Sequence, residues 1–206
     1  MELKGTIKQM EWDTINIKLS KDVCYIQFNR TQEKNTINNR MISEIEEAFK
    51  LYEKKCRVFV FEGDEEYFCF GADLNAITEN NQLNKFEEQN PERLYNLWNH
   101  MIFSNCIMVA YVKGTVNAGG IGFICACDIV IASESATFSL SELLFGLMPA
   151  MVLPFLIRRV GYAHAKYMAL TTKLISAETA CKWGLVDVCC DGANSVLLQH
   201  LARLVK

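Results

Sequence analysis

Apolar and polar positions alternate with a period of two over residues 14–19 and 22–28, which predicts two strands joined by a hairpin around Lys21-Asp22. From Asn39 to Lys54 the period changes. Met41, Ile42, Ile45, Ala48, Phe49 and Tyr52 recur at helical spacing and predict an amphipathic helix. Its opposite face, Glu44, Glu46, Glu47, Lys50, Glu53 and Lys54, reads as solvated surface. Residues 56–62 and 106–112 are apolar runs of buried-strand length. Arg93 to Ser104 returns to the helical period, with Leu94, Leu97, Trp98, Met101 and Ile102 inward, and Val196, Leu197, Leu201 and Leu204 mark a last amphipathic segment. Strand, helix, strand recurs along the chain, which predicts an α/β fold with a parallel-type sheet and covering helices. No repeat or linker interrupts the pattern, so residues 1–206 read as a single domain. The polar, Asn-rich stretch 78–92 reads either as a loop over a site or as disorder.

Two of the buried strands end in turns of small residues. Val58-Phe-Val-Phe-Glu62 is followed by Tyr67-Phe-Cys-Phe-Gly-Ala-Asp-Leu74, where Gly71-Ala72-Asp73 reads as a strand-to-helix turn with Asp73 as a cap. The run ending at Val112 leads into Lys-Gly-Thr-Val-Asn-Ala-Gly-Gly-Ile-Gly-Phe123, which holds Gly114, Gly119, Gly120 and Gly122. Glycines at a helix start let a ligand approach backbone N–H groups that have no intrahelical partner. The spacing matches neither the P-loop nor the dinucleotide fingerprint. Close helix–strand packing and an oxyanion site remain. Two N–H groups from two such turns, Ala72 and Gly119, are what a developing enolate or tetrahedral oxygen requires.

Candidate proton chemistry lies downstream in Ala136-Thr-Phe-Ser-Leu-Ser-Glu-Leu-Leu-Phe-Gly-Leu-Met-Pro149. Glu142 sits among apolar residues, and burial of a carboxyl raises its pKa toward the range useful for proton transfer. Ser139 and Ser141 flank it, but no histidine is spaced to complete a triad. Asn117 reads as a contact to a substrate carboxylate or hydroxyl, or as a turn residue before Gly119. Asp73 and Gly120 are further candidate substrate contacts. Arg158 and Arg159 suit a phosphate or an acidic partner, or are a plain surface pair. His100, His164 and His200 are scattered without ligand spacing, so no metal site is expected.

Composition narrows the class. Half of the 206 residues are apolar, 22% are charged and the net charge is −3, without a basic stretch, so nucleic acid is not an expected partner. The nine cysteines form no C-x-x-C pair and mostly sit in apolar runs, which predicts buried, reduced thiols. No apolar run reaches the roughly 18 residues of a membrane span, and the first residues lack the apolar region of a secretory signal. A cytoplasmic location is expected.

Taken in order, these segments resemble the crotonase (enoyl-CoA hydratase/isomerase) superfamily. Phe28-Asn29-Arg30 with Asn35-Thr36-Ile37-Asn38 is similar to its N-terminal signature, Gly71-Ala72-Asp73 to its first oxyanion turn and Val112–Asp128 to its second. Phe138–Gly146 resembles the segment with its second catalytic glutamate, and Leu156–Gly161 and Ser176–Val186 resemble later helices. Asn117–Phe123 and Phe138–Gly146 look most like the dehydratases of polyketide β-branching cassettes. The resemblance implies a spiral of ββα units, a lyase with no cofactor, an oxyanion hole at Ala72 and Gly119, and Glu142 as the proton-handling group. It implies dehydration of 3-hydroxy-3-methylglutaryl held on an acyl carrier protein, and a homo-oligomer, trimer or hexamer. Two departures stand out. The family's first catalytic glutamate falls at Gly122, and a lysine that many members use near CoA falls at Asn75. A CoA-thioester hydratase, a decarboxylase and a catalytically silent scaffold therefore stay open. Family members usually run on beyond the equivalent of Lys206, so the C-terminal helical extension reads as short or truncated.

Overall fold

Three uninterrupted apolar runs, β3 (Val58–Glu62), β5 (Ile107–Val112) and β7 (Ile129–Ala132), lie side by side and parallel. The computed structural model describes residues 12–72 and 91–206. Among the described residues, β1 (Ile15–Ser20) and β2 (Val23–Phe28) extend this sheet beyond β3, and β10 (Val188–Cys189) extends it beyond β7. The predicted hairpin joins β1 and β2, with Lys21 at φ 52° in the tight turn. The remaining pairs of the sheet are parallel. A second sheet is made of very short strands, β4 (Tyr67–Cys69), β6 (Thr115–Asn117), β8 (Thr137–Ser139) and β9 (Ile175–Ser176), in that order.

The helices are α1 (Asn39–Tyr52), α2 (Pro91–Phe103), α3 (Gly119–Ala126), α4 (Leu153–Thr171), α5 (Ala177–Lys182) and α6 (Ala193–Leu204). A strand of the large sheet, a strand of the small sheet and a helix follow one another as β5–β6–α3 and again as β7–β8–α4. This is the ββα repeat expected from the sequence. It matters for the site because β4, β6 and β8 run parallel, so their C-terminal ends emerge together.

One core fills the space between the sheets and α1–α4. Phe28, Phe61, Phe68 and Phe123 meet there, with ring centroids 5.2 Å apart for Phe28–Phe123 and 5.3 Å for Phe28–Phe68. Each buried phenylalanine contributes about 1.5–3 kcal/mol. On the other face of the large sheet, Ala193, Leu197 and Leu201 of α6 cover Val58, Val60, Val109 and Ile131. All nine cysteines are free, six of them buried. Burial pushes the Cys24, Cys69 and Cys125 thiols up to about 12.

The charged face predicted for α1 needs correction. Glu44 is buried, not solvated. Its carboxylate accepts from Thr14 N–H at 2.9 Å, Thr14 Oγ1 at 2.6 Å and Asp13 N–H at 3.1 Å, and so fastens the start of β1 to α1. Burial alone raises its pKa, but these bonds and Arg40 outweigh burial and hold the carboxyl below its usual range. Glu46 pairs with Arg93, and Glu53 accepts from Ser104 and contacts His100. Glu44, Glu46 and Glu53 form a seam against β1 and α2, while Lys50 and Lys54 are exposed as expected.

Candidate active site

The two small-residue turns meet. β4 ends at Cys69, and the chain reverses at Gly71 with φ 90°. The preceding loop holds this turn: Phe70 N–H donates to Lys34 O at 3.2 Å and Ile37 N–H to Gly71 O at 2.8 Å, while buried Asn35 donates from Nδ2 to Tyr67 O at the start of β4, at 2.9 Å. β6 ends at Asn117, and Ala118, at φ 48° and ψ −120°, turns the chain into α3. A non-glycine residue held there costs about 1–3 kcal/mol. A Cβ on Gly71 would lie 2.7 Å from Ala118 Cβ and 3.1 Å from Gly119 N. A Cβ on Gly119 would lie 3.8 Å from Ala72 N. At Gly71 only a glycine allows the turns to approach so closely. Neither Ala72 N–H nor Gly119 N–H donates to a protein group among the described residues, so both are available to a ligand. Gly119 is the first residue of α3, where N–H groups lack helical partners and favour negative charge.

β8 delivers the polar side chains. Asn117, 4% exposed, accepts from Ser139 Oγ at 2.8 Å and donates to Ser141 Oγ at 2.8 Å. Asn117 thus spans β6 and the end of β8, and its bond to Ser141 leaves that hydroxyl proton able to donate onward. Glu142 follows at once, at the head of the short 3-10 turn Glu142–Phe145. Its carboxyl is partly buried, and Oε2 is buried without a hydrogen-bond partner. Burial raises the Glu142 carboxyl above its ordinary range.

Ala72, Gly119, Asn117, Ser139, Ser141 and Glu142 all line one cavity of about 740 Å³. Its walls are otherwise largely apolar, from Ile37, Leu94, Trp98, Phe70 and the segment Leu144–Val152. Lys34 stands in the wall, its Nζ 5.1 Å from the Phe70 ring and 5.5 Å from the Tyr67 ring. The arrangement offers two undonated backbone N–H groups from adjacent turns and one carboxyl with a raised pKa inside an acyl-sized space.

Other sequence-marked residues fall elsewhere. Gly120 is not a cavity residue; a side chain there would overlap the Cys69 carbonyl, so its smallness serves α3–β4 packing. Asp73 and Asn75 lie outside the described residues, as does most of the Asn-rich stretch. Arg158 donates to Cys125 O, and Arg159 to Leu185 O and Asp128 O with an ion pair to Asp187, so both guanidiniums are used by the fold near the end of α3. Two cavity features escaped the sequence reading. Trp98, assigned only to the core, is a wall residue, and its indole occupies the space that a side chain at Gly122 would enter. The Ser139–Asn117–Ser141 chain links residues distant in sequence, with no periodic signal to reveal it.

Residues 18–206 match the model of the Enoyl-CoA hydratase/isomerase family. The chain is 44% identical over 194 residues to the bacillaene synthase dehydratase PksH of Bacillus subtilis (strain 168), covering 94% of this chain and 75% of that protein. To the 2,3-dehydroadipyl-CoA hydratase of Escherichia coli (strain K12) it is 32% identical over 170 residues, 80% of this chain and 64% of that one. The crystal structure of Bacillus subtilis pksH matches with a TM-score of 0.88 at 42% identity, over 95% of this chain and 78% of that chain.

Proposed function

The chain belongs to the enoyl-CoA hydratase/isomerase family and is a hydro-lyase of the hydratase/dehydratase type; from that premise we propose that it removes water from 3-hydroxy-3-methylglutaryl held on an acyl carrier protein, giving the 3-methylglutaconyl thioester in polyketide β-branching. The observation that carries this reading is the buried, unpartnered oxygen of Glu142 in the same cavity as two undonated backbone N–H groups. The thioester oxygen accepts from Ala72 and Gly119, each donor worth on the order of 3 kcal/mol in the transition state. The Glu142 carboxylate takes the α-proton, and the C–H electron pair moves onto the thioester oxygen as an enolate. Collapse of the enolate forms the α–β double bond and breaks the β-carbon–oxygen bond. Glu142 returns its proton to the departing oxygen, water leaves and the carboxylate is regenerated. One group serves both steps, so both bonds break on one face of the substrate, a syn elimination.

A carrier-linked substrate is supported by the likeness to a polyketide-pathway dehydratase and by Lys34 at the cavity wall, a cation suited to a pantetheine phosphate or an acidic carrier. Asn117 and Asp73 are the side chains we assign to substrate binding. A homo-oligomer, trimer or hexamer, completes the proposal.

The test offers the purified protein the same 3-hydroxy-3-methylglutaryl group on a holo-carrier protein and on CoA, with loss of water followed by mass spectrometry. A much larger kcat/KM for the carrier thioester is the expected result. Equal values for both handles would return the chain to CoA-thioester hydration. No water loss from either would remove the assignment.

A further inference from the structure

We propose that the indole N–H of Trp98 holds the β-oxygen of the acyl substrate, bridging it to Glu142; this deepens the dehydratase reading above and rests on it. Among the described residues, two buried side-chain polar atoms have no hydrogen-bond partner: Trp98 Nε1 and Glu142 Oε2. Buried polar atoms are nearly always paired, so each such exception calls for an explanation. Here one is a donor, the other is an acceptor, and both residues line the same cavity.

The indole is held firmly. Trp98 is 1% exposed and meets Phe123 and Phe155 edge-on, at 5.9 Å and 5.4 Å between ring centroids. Neither phenylalanine offers a nitrogen or oxygen acceptor. A Cβ on Gly122 would lie 2.7 Å from Trp98 Cε2, the ring carbon bonded to Nε1. The N–H edge of the indole therefore sits beside α3 at Gly122, about one helical turn after Gly119. The absence of a side chain at Gly122 is what admits the ring.

A hydroxyl fits this pair of orphans because it both accepts and donates. Its oxygen accepts from Trp98, and its proton faces the Glu142 carboxylate. A carboxylate at the same point would satisfy Trp98 but repel Glu142, so the contact selects the β-hydroxyl over a distal acid group. An indole N–H does not give up its proton at physiological pH. Trp98 orients the leaving oxygen while Glu142 supplies the proton.

The test uses pantetheine amides of 3-hydroxy-3-methylglutarate and of its 3-deoxy counterpart, whose amide linkage suppresses turnover. Calorimetry should give the wild-type protein about a tenfold preference for the hydroxy form, the size of one buried hydrogen bond. Trp98→Phe removes the N–H and keeps an aromatic ring at position 98. It should erase the preference and leave affinity for the deoxy form unchanged. A preserved preference, or an equal loss for both ligands, would overturn the contact. A second readout needs no variant at position 98. In ¹⁵N-indole spectra of the intact protein, assigned with Trp12→Phe and Trp183→Phe, the Trp98 N–H resonance should shift with the hydroxy amide alone; no shift, or the same shift with both, overturns the proposal. Selective hydroxy binding in a protein that dehydrates no carrier or CoA thioester would remove the dehydratase reading and keep the contact. Dehydration with an unaltered preference in Trp98→Phe would do the reverse.

Discussion

Glu142 keeps one oxygen away from both water and protein, a costly arrangement for stability and a useful one for proton transfer. Glu142→Gln keeps the shape and removes the titration. Steady-state assays should show turnover lower by about 10²–10⁴-fold, and near-normal dehydration would sink the role assigned to Glu142. The same variant reports on stability. The Glu142 pKa is raised in the folded state, so folding favours its protonated form. Below the unfolded carboxyl pKa both states are protonated and the site carries no penalty. As pH rises through the raised pKa, the folded state must ionise a buried oxygen, and stability is lost. Glu142→Gln should therefore melt with the wild type in acid and melt higher near neutrality, by about 1 kcal/mol or roughly 2–4 °C. Parallel melting curves at both pH values would contradict this account. At this scale the sequence was legible where chemistry departs from its neighbours: a glutamate in an apolar run, and small residues ending buried strands. Trp98 was not legible, because helical spacing places it among core residues and its orphan N–H exists only in three dimensions. Gly120 was ambiguous, because a glycine needed for packing and one needed for a ligand look the same in a sequence.

Longer elements were legible because their apolar pattern is periodic in the hairpin and helices and continuous in the central strands. The hairpin, α1, α2 and the central strands β3 and β5 fall within a few residues of their expected positions. The three-residue strands β4, β6 and β8 are too short for a period of two to show, yet their ends carry the site. The role of α1 was hidden for a related reason. A helical wheel gives Glu44 a polar face, and only the fold brings Thr14 to it. Glu44→Gln replaces a charged acceptor of several hydrogen bonds and should cost about 1–3 kcal/mol in denaturant unfolding. The Glu44 pKa is lowered by folding, so its contribution is complete above the unfolded carboxyl pKa and fades as pH falls through the lower folded value. The gap between wild type and Glu44→Gln should close on acidification, and a gap that stays constant would count against this seam. The turn at Gly71 makes a second element-scale test. Gly71→Ala would strain a φ of 90° and press on Ala118, so stability should fall by about 1–3 kcal/mol and activity with it. Wild-type melting and activity together would mean that the turns need not touch.

At the scale of the whole molecule, the fold implied by the sequence resemblance is the one adopted, that of crotonase-type hydratases. No helix among the described residues is long and apolar enough to cross a membrane. Among the described residues, several apolar side chains beside the cavity are exposed. Leu144, Phe145 and Met148 are 70%, 62% and 65% exposed, and Leu174, from another cavity wall, is 54% exposed. The sequence reading placed Glu142 within a partly buried apolar segment, and the structure divides that segment, with the carboxyl inward and the following residues outward. Clustered apolar exposure of this kind marks an interaction surface. The 3-10 turn that bears Leu144 and Phe145 also begins with Glu142, which ties the exposed side chains to the carboxyl through one short element. If that surface meets another copy of the chain, as the proposed trimer or hexamer requires, association and activity should rise together. Sedimentation equilibrium should give a trimeric or hexameric mass for the wild type and a smaller one for a double variant, Phe145→Glu with Met148→Glu. Specific activity should climb with protein concentration through the association range, and the double variant should stay at the low plateau with an unchanged circular dichroism spectrum. A wild-type protein that sediments as a monomer at full specific activity would show that Glu142 is held by its own chain alone, and self-association would drop out of the mechanism.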